Sequence, residues 1–442
     1  MDPFIIRSKQ QIGVGLLGMG GIGSRVAEVI LTHEDQLYSH SHPTFVIKKA
    51  LVKNSNKKRS VPLADDLITT DPNELVRADD IDIIIEVMGG EHPAYELIVL
   101  ALRNGKHVIS ANKEVIAKHG AELIQIAQEN NAHIFFEASV GGGIPIINSL
   151  TKDFQGERIS SIRSIINGTT NYILTNMAFC GKTFPQALEE AQKLGYAEPN
   201  PSNDIEGTDA AYKITIIANI AFSTRISIDD VYYEGINKIQ TQDFKYASEL
   251  GYSIKLLAIA KCSDNNVEIR VHPVLLPKDS LLARVDYDFN AVEIEGELVG
   301  RVLLHGLGAG SGPTTSAIMS DLHKIVTSPV LDQVESGRSM VEVGRDHEIK
   351  SISELKTKYY IRMTVEDEVG VLANIAGIFG KNNISIESVI QKNFDNQVNV
   401  AEIVIMTHIA LENDIQESLK QLENLNLIKS IDNFIRVEEQ GL

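Results

Sequence analysis

The feature that most constrains this 442-residue chain is a glycine-rich turn between a strand pattern and a helix pattern. Ile12–Leu17 is a short apolar run typical of a buried strand, and an amphipathic helix pattern opens at Ser24. Glycines in this context permit a tight turn and bring a pyrophosphate close to the N-terminus of the helix. The sequence therefore predicts a Rossmann-type nucleotide-binding domain, and the residues of the turn assigned to its cofactor are Gly18, Gly20, Gly21, Ile22 and Gly23.

Further strand patterns occur at Phe45–Val52, Ile81–Val87 and His107–Ser110, with helical patterns between them. This alternation predicts an α/β fold with a doubly wound parallel sheet, whose ligands bind at the carboxyl ends of the strands. Gly89 and Ser110 lie at those ends and are predicted to contact the cofactor.

The segment after the second strand indicates which cofactor is used. A site selective for NAD prefers Asp or Glu there, next to the adenosine ribose. This chain has Lys53, Lys57 and Arg59 in that segment, and cations suit the 2′-phosphate of NADP. NADP is therefore predicted to be preferred over NAD, with a merely solvated basic loop as the alternative.

Composition excludes several classes of protein. The net charge is −18 and no long Lys/Arg block occurs, which argues against nucleic acid and anionic membranes as partners. No signal peptide and no run of about 18 apolar residues is found, so a cytoplasmic globular protein is expected. Cys180 and Cys262 are far apart, which excludes a thiolate zinc site and suggests core thiols.

Charged residues cluster in Gly195–Lys213, which brings the candidate carboxylates Glu198, Asp204 and Asp209 and a lysine into one turn and helix. Asp209 and Lys213 are four residues apart and share a helix face, although an exposed ion pair would have the same spacing. The segment resembles the signature of homoserine dehydrogenase, which matches at Ala191, Gly195, Asn200, Pro201, Asp204, Gly207, Asp209 and Lys213.

This resemblance implies an NAD(P)-dependent oxidoreductase acting on a CH–OH group. The implied reaction is reversible reduction of L-aspartate 4-semialdehyde to L-homoserine, in threonine, methionine and isoleucine biosynthesis. Lys113 and Lys213 would face the reacting oxygen, with Asp209 orienting Lys213. The implied substrate-binding residues are Glu198, Asp204, Gly195 and Thr169. A dehydrogenase for another short amino-acid aldehyde and a non-catalytic sensor that keeps the cofactor as a ligand are the alternatives.

The resemblance also implies further binding residues. A monovalent cation, predicted to be Na⁺, would take oxygen ligands, mostly backbone carbonyls, from Glu137, Val140, Gly142 and Ile144. A flexible glycine hinge is the alternative interpretation of that segment. Two other turns would face the cofactor through Asn167, Gly168, Gly312 and Thr314, and Lys113 would lie beside the nicotinamide. His305 precedes the last of these turns and is interpreted as a structural histidine.

The last 85 residues carry the pattern βαββαβ, which predicts a ferredoxin-like domain. Asp367–Ala373 and Gly380–Ile386 resemble the ACT domain, whose paired copies bind amino acids. The residues predicted to bind a regulatory amino acid such as threonine are Asp367, Gly370, Val371, Asn383 and Ile384. A purely structural dimerisation module is the alternative, and either use predicts a homodimer or homotetramer.

These patterns divide the chain as follows. Residues 1–145 form the Rossmann domain, to which the chain returns around 303–335. Residues 146–334 form an α+β substrate-binding and dimerisation domain, residues 335–357 a linker, and residues 358–442 the ACT domain.

Overall fold

The structure is a computed structural model that describes residues 11–32, 43–57, 59, 61, 63–264, 266–327, 347–395 and 400–439. Its strands are β1 (Gln11–Leu17), β2 (Thr44–Leu51), β3 (Ile68–Thr69), β4 (Ile83–Glu86), β5 (His107–Ser110), β6 (Ile134–Phe135), β7 (Ile159–Ile165), β8 (Tyr232–Tyr233), β9 (Tyr252–Ser263), β10 (Asn266–Pro277), β11 (Phe289–Gly296), β12 (Gly300–Leu307), β13 (Glu348–Ile349), β14 (Lys356–Thr357), β15 (Tyr359–Glu366), β16 (Ile386–Asp395), β17 (Val400–Thr407), β18 (Ala410–Leu411) and β19 (Ile428–Val437).

Its helices are α1 (Gly21–Thr32), α2 (Asn73–Val76), α3 (Ala94–Arg103), α4 (Lys113–Glu129), α5 (Ile146–Asn148), α6 (Gly168–Cys180), α7 (Phe184–Leu194), α8 (Ser202–Ile205), α9 (Thr208–Phe222), α10 (Thr241–Glu249), α11 (Ser311–Thr327), α12 (Val371–Lys381) and α13 (Glu412–Glu423). Every helix in the described part of the chain is too short or too polar to span a membrane.

The chain divides into two compact units. The first comprises Met1–Ile162, Tyr212–Asp230 and Asn290–His347, and the second comprises Arg163–Ala211, Val231–Phe289 and Glu348–Leu442. The chain passes from one unit to the other within β7, α9 and β11.

The first unit contains a six-stranded sheet in the order β3-β2-β1-β4-β5-β6. All of its pairings are parallel. This order reverses direction between β1 and β4, which is the switch point where doubly wound sheets bind ligands. Helix α11 supplies buried residues to the same core, including Ile318, Leu322 and Ile325. The predicted doubly wound parallel sheet is confirmed.

In the second unit the long strand β10 organises the sheet. One edge of β10 pairs antiparallel with β9. Its other edge pairs in succession with β13, β8 and β19, all in parallel. Beyond β19 the sheet continues laterally with β15, β17 and β16, and each of these pairings is antiparallel. The C-terminal sheet is therefore an extension of the β9–β10 hairpin.

The C-terminal elements occur in the order β15, α12, β16, β17, α13 and β19, with the short strand β18 before α13. This confirms the predicted ferredoxin-like pattern, and one apolar core unites both helices with the sheet. The predicted linker 335–357 lies partly outside the described residues, which resume at His347. From there to residue 357 the chain forms β13, a single 3₁₀ turn at Ile352–Glu354, and β14.

The expectation that both cysteines are core thiols is wrong. Cys180 is exposed and Cys262 is partly exposed. Cys180 is the last residue of α6, directly before Gly181, which ends the helix in a left-handed conformation with φ of 64°. A helix end of this kind lies at the surface, and hydrophobic character alone does not bury a residue there.

Two stacked histidines make the first unit sensitive to acid. The rings of His107 and His133 lie 5.4 Å apart, and the backbone N–H of His133 donates to Nδ1 of His107 at 3.1 Å. Burial lowers the pKa of His107 to about 3 and that of His133 to about 4. The unfolded chain binds protons on both rings below about pH 6.5, whereas the folded chain does not. The free energy of unfolding should therefore fall between pH 6.5 and 4.

We expect this loss to amount to a few kcal/mol, roughly, and to be smaller in His133→Phe. Urea denaturation at pH 8 and at pH 5 measures it. His92→Gln is the matched control, because the His92 side chain is 66% exposed. An equal loss in the wild type and His133→Phe would contradict the assignment to this histidine.

Candidate active site

The glycine turn after β1 has the shape that a dinucleotide requires. Gly18 has φ of 109°, and its N–H donates to the carbonyl of Leu51 at 3.2 Å. A Cβ on Gly23 would lie 2.1 Å from the oxygen of Gly18, so only glycine allows α1 to approach the turn this closely. Gly20 and Gly21 face open space instead. The turn thus leaves room for a ligand over the N-terminus of α1.

The basic loop after β2 is organised by one of its own cations. The guanidinium of Arg59 donates to the carbonyls of Asn54, Ser55 and Lys57 at 2.5–3.2 Å. Lys53 and Lys57 are exposed. Arg59 therefore shapes the backbone of this loop, and the two lysines are the ammonium groups available beside it.

Residues at the ends of β4 and β5 hold one another in place. Glu86 is fully buried, and it accepts hydrogen bonds from the Ser110 hydroxyl at 2.7 Å and from the N–H of Met88 at 2.8 Å. Asn112 donates to the carbonyl of Gly90 at 2.7 Å. Burial raises the pKa of Glu86. The loops at the sheet edge are thus fixed by side chains beneath them.

This arrangement bears on the two positions predicted to contact the cofactor at the strand ends, Ser110 and Gly89. The structure buries Ser110 fully and turns its hydroxyl towards Glu86, so this side chain supports the loop. Gly89, with φ of 77°, faces open space. Sequence reasoning missed Glu86, although an acid ending the apolar strand Ile83–Glu86 was a visible sign of such a role.

Lys113 is the first residue of α4. Asn112 caps this helix by accepting from the N–H of Val115 at 3.3 Å. The cap fixes the point at which the chain leaves β5 and enters α4. Lys113 therefore lies at the carboxyl edge of the parallel sheet, where the switch-point rule places ligands.

The predicted cation segment is compact. Glu137 begins a 3₁₀ turn, Val140 and Ile144 are buried, and Gly142 adopts φ of 54°. The carboxylate of Glu137 accepts from the N–H groups of Ile147 and Asn148 at 3.0 and 2.7 Å. Burial raises its pKa to about 7. The side chain of Glu137 thus caps α5, which leaves backbone carbonyls as the cation ligands this segment could offer.

The second glycine-rich turn lies between β12 and α11. Gly312 faces open space, whereas Thr314 is buried and its N–H donates to the carbonyl of Gly310 at 3.1 Å. Both residues lie in the first turn of α11. His305 is exposed on β12.

In the second unit, one asparagine joins two of the predicted carboxylates. The side-chain nitrogen of Asn167 donates to Asp204 at 2.7 Å and to Asp209 at 2.8 Å. Its side-chain oxygen accepts from the N–H of Thr170 at 2.8 Å and so caps α6. Asn167 was predicted to contact the cofactor; in the structure its side chain holds the acidic cluster together.

The other predicted substrate residues lie at the start of α6 and just after α7. The hydroxyl of Thr169 donates to the carbonyl of Tyr196 at 2.6 Å. Gly195 ends α7 in a left-handed conformation with φ of 82°, and Glu198 is exposed just beyond it. A Cβ on Gly168 would lie 3.0 Å from the carbonyl oxygen of Asp288, which explains glycine at the start of α6.

Asp209 and Lys213 lie one turn apart in α9. Asp209 is 3% exposed and Lys213 is 9% exposed. Charged side chains are rarely buried to this degree without a partner or a function. This burial excludes the alternative of an ordinary exposed ion pair.

The strand-to-helix turn of the C-terminal domain is open to solvent. Gly370 has φ of 93° directly before α12, and a Cβ there would meet nothing within 4 Å. Asp367 is exposed, whereas Val371 and Ile384 are buried. Asn383 has a positive φ of 59°. An accessible turn therefore lies over a closed apolar core.

Comparison with known proteins identifies the family. Residues 145–323 match the model of homoserine dehydrogenase, and residues 18–137 match the model of the homoserine dehydrogenase NAD binding domain. A homoserine dehydrogenase of Bacillus subtilis is 39% identical over 430 residues, which cover 97% of this chain and 99% of the relative. The chain belongs to the homoserine dehydrogenase family.

Further relatives agree with this assignment. A homoserine dehydrogenase of Neisseria gonorrhoeae is 38% identical, over 97% of this chain and 98% of the relative. The crystal structure of a homoserine dehydrogenase from Thiobacillus denitrificans superposes with a TM-score of 0.91 at 38% identity. It covers 97% of this chain and 98% of the other. The fold and the oxidoreductase class of the family are therefore those of this chain.

The matched ranges contain the features described above. The NAD-binding match includes the glycine turn and Lys113, and the homoserine dehydrogenase match includes the Asn167 cluster and Lys213. Residues 359–426 match the ACT domain. The protein is thus a homoserine dehydrogenase-family oxidoreductase with a nicotinamide-binding domain and a C-terminal ACT domain.

Proposed function

We propose that this chain catalyses the reversible reduction of L-aspartate 4-semialdehyde to L-homoserine with NADP as the preferred cofactor. The observation that carries the proposal is the cluster of Asn167, Asp204 and Asp209. Two carboxylates held by one amide are suited to the ammonium group of an amino acid. They lie immediately before the buried Lys213 in α9.

The lysines supply the remaining chemistry. A bound nicotinamide supplies the hydride in the reducing direction. An ammonium group facing the aldehyde oxygen stabilises the developing alkoxide, and a lysine then delivers the proton that completes the hydroxyl. We assign these tasks jointly to Lys113 and Lys213. Asp209 holds Lys213 in position, and Asp204 with Glu198 binds the substrate ammonium.

The cofactor preference is supported by the exposed ammonium groups of Lys53 and Lys57 after β2. Arg59 fixes the loop that carries them. The proposed monovalent cation, Na⁺, would take backbone oxygens of Glu137, Val140, Gly142 and Ile144. A cation at this point would lock the glycine-rich connection Gly141–Gly143 in one conformation.

The proposed regulation is feedback by threonine, bound at the ACT turn around Asp367, Gly370 and Asn383. Threonine is an end product of the pathway that homoserine would enter, as are methionine and isoleucine. An amino acid requires accessible backbone groups and a polar side chain, and this turn has both. Paired ACT turns are expected in a homodimer or homotetramer, which light scattering measures.

One experiment tests the function. Purified protein is mixed with homoserine and NADP or NAD, and the absorbance of the reduced nicotinamide is followed. We expect homoserine-dependent reduction, with a higher kcat/KM for NADP. In the double variant Lys53→Glu, Lys57→Glu, the ratio of kcat/KM for NADP to kcat/KM for NAD should fall. Cofactor binding without any turnover would favour an amino-acid sensor instead.

Two additions complete the assay. Millimolar threonine should lower the rate, with methionine, isoleucine and lysine compared in parallel. Replacing NaCl by choline chloride should lower both the rate and the melting temperature. No response to any of the four amino acids would leave the ACT domain as a structural module.

A further inference from the structure

The segment that follows β8 supports the loop carrying Asp204. The N–H of Ile236 donates to the carbonyl of Ile205 at 2.9 Å. A Cβ on Gly235 would lie 2.0 Å from the oxygen of Ile205 and 2.6 Å from the Cα of Glu206. The two backbones are therefore in direct contact, and glycine is required for it.

A second close approach secures the other end of the loop. Gly207 has φ of 91°, and a Cβ there would lie 3.0 Å from the carbonyl oxygen of Glu234. Gly207 directly precedes α9, whose second residue is Asp209. The loop between the two carboxylates of the substrate cluster thus rests on residues 234–236, which we call the support segment.

The support segment is itself held by β10 and by β19, the last strand of the C-terminal domain. The N–H of Glu234 donates to the carbonyl of Val271 at 2.7 Å. Its carboxylate accepts from Nη1 of Arg436 at 3.0 Å and from the hydroxyl of Tyr232. Arg436 is 2% exposed and lies in β19.

Arg436 has little freedom to move. Its Nε and Nη2 donate to the two oxygens of Glu412 at 2.9 and 2.6 Å. Its guanidinium lies 5.1 Å from the ring centres of Tyr232 and Phe434. A planar guanidinium bound in this bidentate way has a fixed orientation, so it also fixes the position of other groups that accept its hydrogen bonds. Two contacts remain, from Nη1 to Glu234 and from Nη2 to the hydroxyl of Tyr232 at 3.2 Å.

We propose that Arg436 and Glu234 are positioning residues of the substrate site, through which the ACT domain fixes the loop between Asp204 and Asp209. The inference rests on the proposed function, because it assumes that Asp204 binds the substrate ammonium and that Asp209 positions Lys213. The path consists of backbone contacts and of hydrogen bonds among Arg436, Glu234 and Tyr232. A displacement of β19 would therefore reach the loop between Asp204 and Asp209 through these three side chains.

The test compares Glu234→Gln and Arg436→Lys with the wild type. Both variants keep a polar group at the site but weaken the charged contact between the two side chains. We expect kcat/KM for homoserine to fall about 10- to 100-fold, because small displacements of binding groups have effects of this size. The KM for NADP should stay unchanged, since neither residue lies in the nucleotide-binding domain.

The matched control is Arg362→Lys. Arg362 is 3% exposed and anchors the neighbouring strand β15 to Asp243 at 2.7 Å and to Glu402 at 2.9 Å. Like Arg436, it is a buried arginine held by carboxylates, but these carboxylates lie outside the support segment. We expect this variant to lose thermal stability while keeping its KM for homoserine. An equal rise of that KM in all three variants would overturn the proposal.

Hydrogen–deuterium exchange supplies a readout that does not depend on activity. Peptides covering residues 201–209 should exchange faster in Glu234→Gln and Arg436→Lys than in Arg362→Lys. Unchanged exchange would overturn the positioning role. A wild-type enzyme that does not oxidise homoserine would refute the proposed function alone, because the exchange result still decides whether the pair positions the loop.

Discussion

Replacement of Lys213 by alanine is expected to lower kcat for homoserine oxidation by about 10²- to 10⁴-fold. Lys213 is 9% exposed in α9, four residues after a carboxylate that is 3% exposed. At a buried site the effective dielectric constant is low, so the electrostatic attraction between an ammonium group and a neighbouring alkoxide is stronger than in water. In the proposed role of Lys213, its loss removes charge stabilisation that exists only in the transition state, so we expect kcat to fall and cofactor affinity to survive.

The measurement is steady-state kinetics combined with fluorescence titration of the reduced cofactor. Lys113→Ala should give a loss of the same order, and the effects in the double variant should be much less than additive, since both groups are proposed to act on one oxygen. Lys193→Ala is the control, because Lys193 is 71% exposed and pairs with Glu189 on its own helix. An unchanged kcat in Lys213→Ala would remove this residue from the chemistry.

The parts of the fold that were predictable from sequence have local causes. Ile12–Leu17 and Ile81–Val87 are apolar runs flanked by turns, and they form β1 and β4 because a central parallel strand is buried on both faces. The glycine turn was recognisable because the close approach that requires glycine at position 23 is to Gly18, only five residues earlier. The βαββαβ order of the C-terminal domain was predictable for the same reason.

The side-chain networks were not predictable, because their partners are distant in the sequence. Glu86 and Ser110 are 24 residues apart, and Glu234 and Arg436 are 202 apart. Neither pair leaves a periodic signal in the chain. Asn167 had an unremarkable N-cap pattern, and only the fold reveals that its amide faces Asp204 and Asp209.

Replacement of Asn167 by aspartate should lower kcat/KM for homoserine by about 100-fold or more. The variant keeps an oxygen that caps α6 but replaces the amide donor by a third carboxylate. Three carboxylates would then face one another where one amide now holds two at 2.7 and 2.8 Å. Their repulsion would separate Asp204 from Asp209 and change the site that receives the substrate ammonium.

The control must separate this effect from the cost of burying a charge. Asn176→Asp provides it, because Asn176 is 5% exposed in the same helix and donates to the carbonyl of Tyr172 at 3.0 Å. Both variants should melt at lower temperatures, but only Asn167→Asp should raise the KM for homoserine. The KM of Asn167→Asp for the cofactor then distinguishes two roles for Asn167. An unchanged cofactor KM assigns the residue to the substrate cluster, whereas a rise in the cofactor KM alone would restore the cofactor contact expected from the sequence.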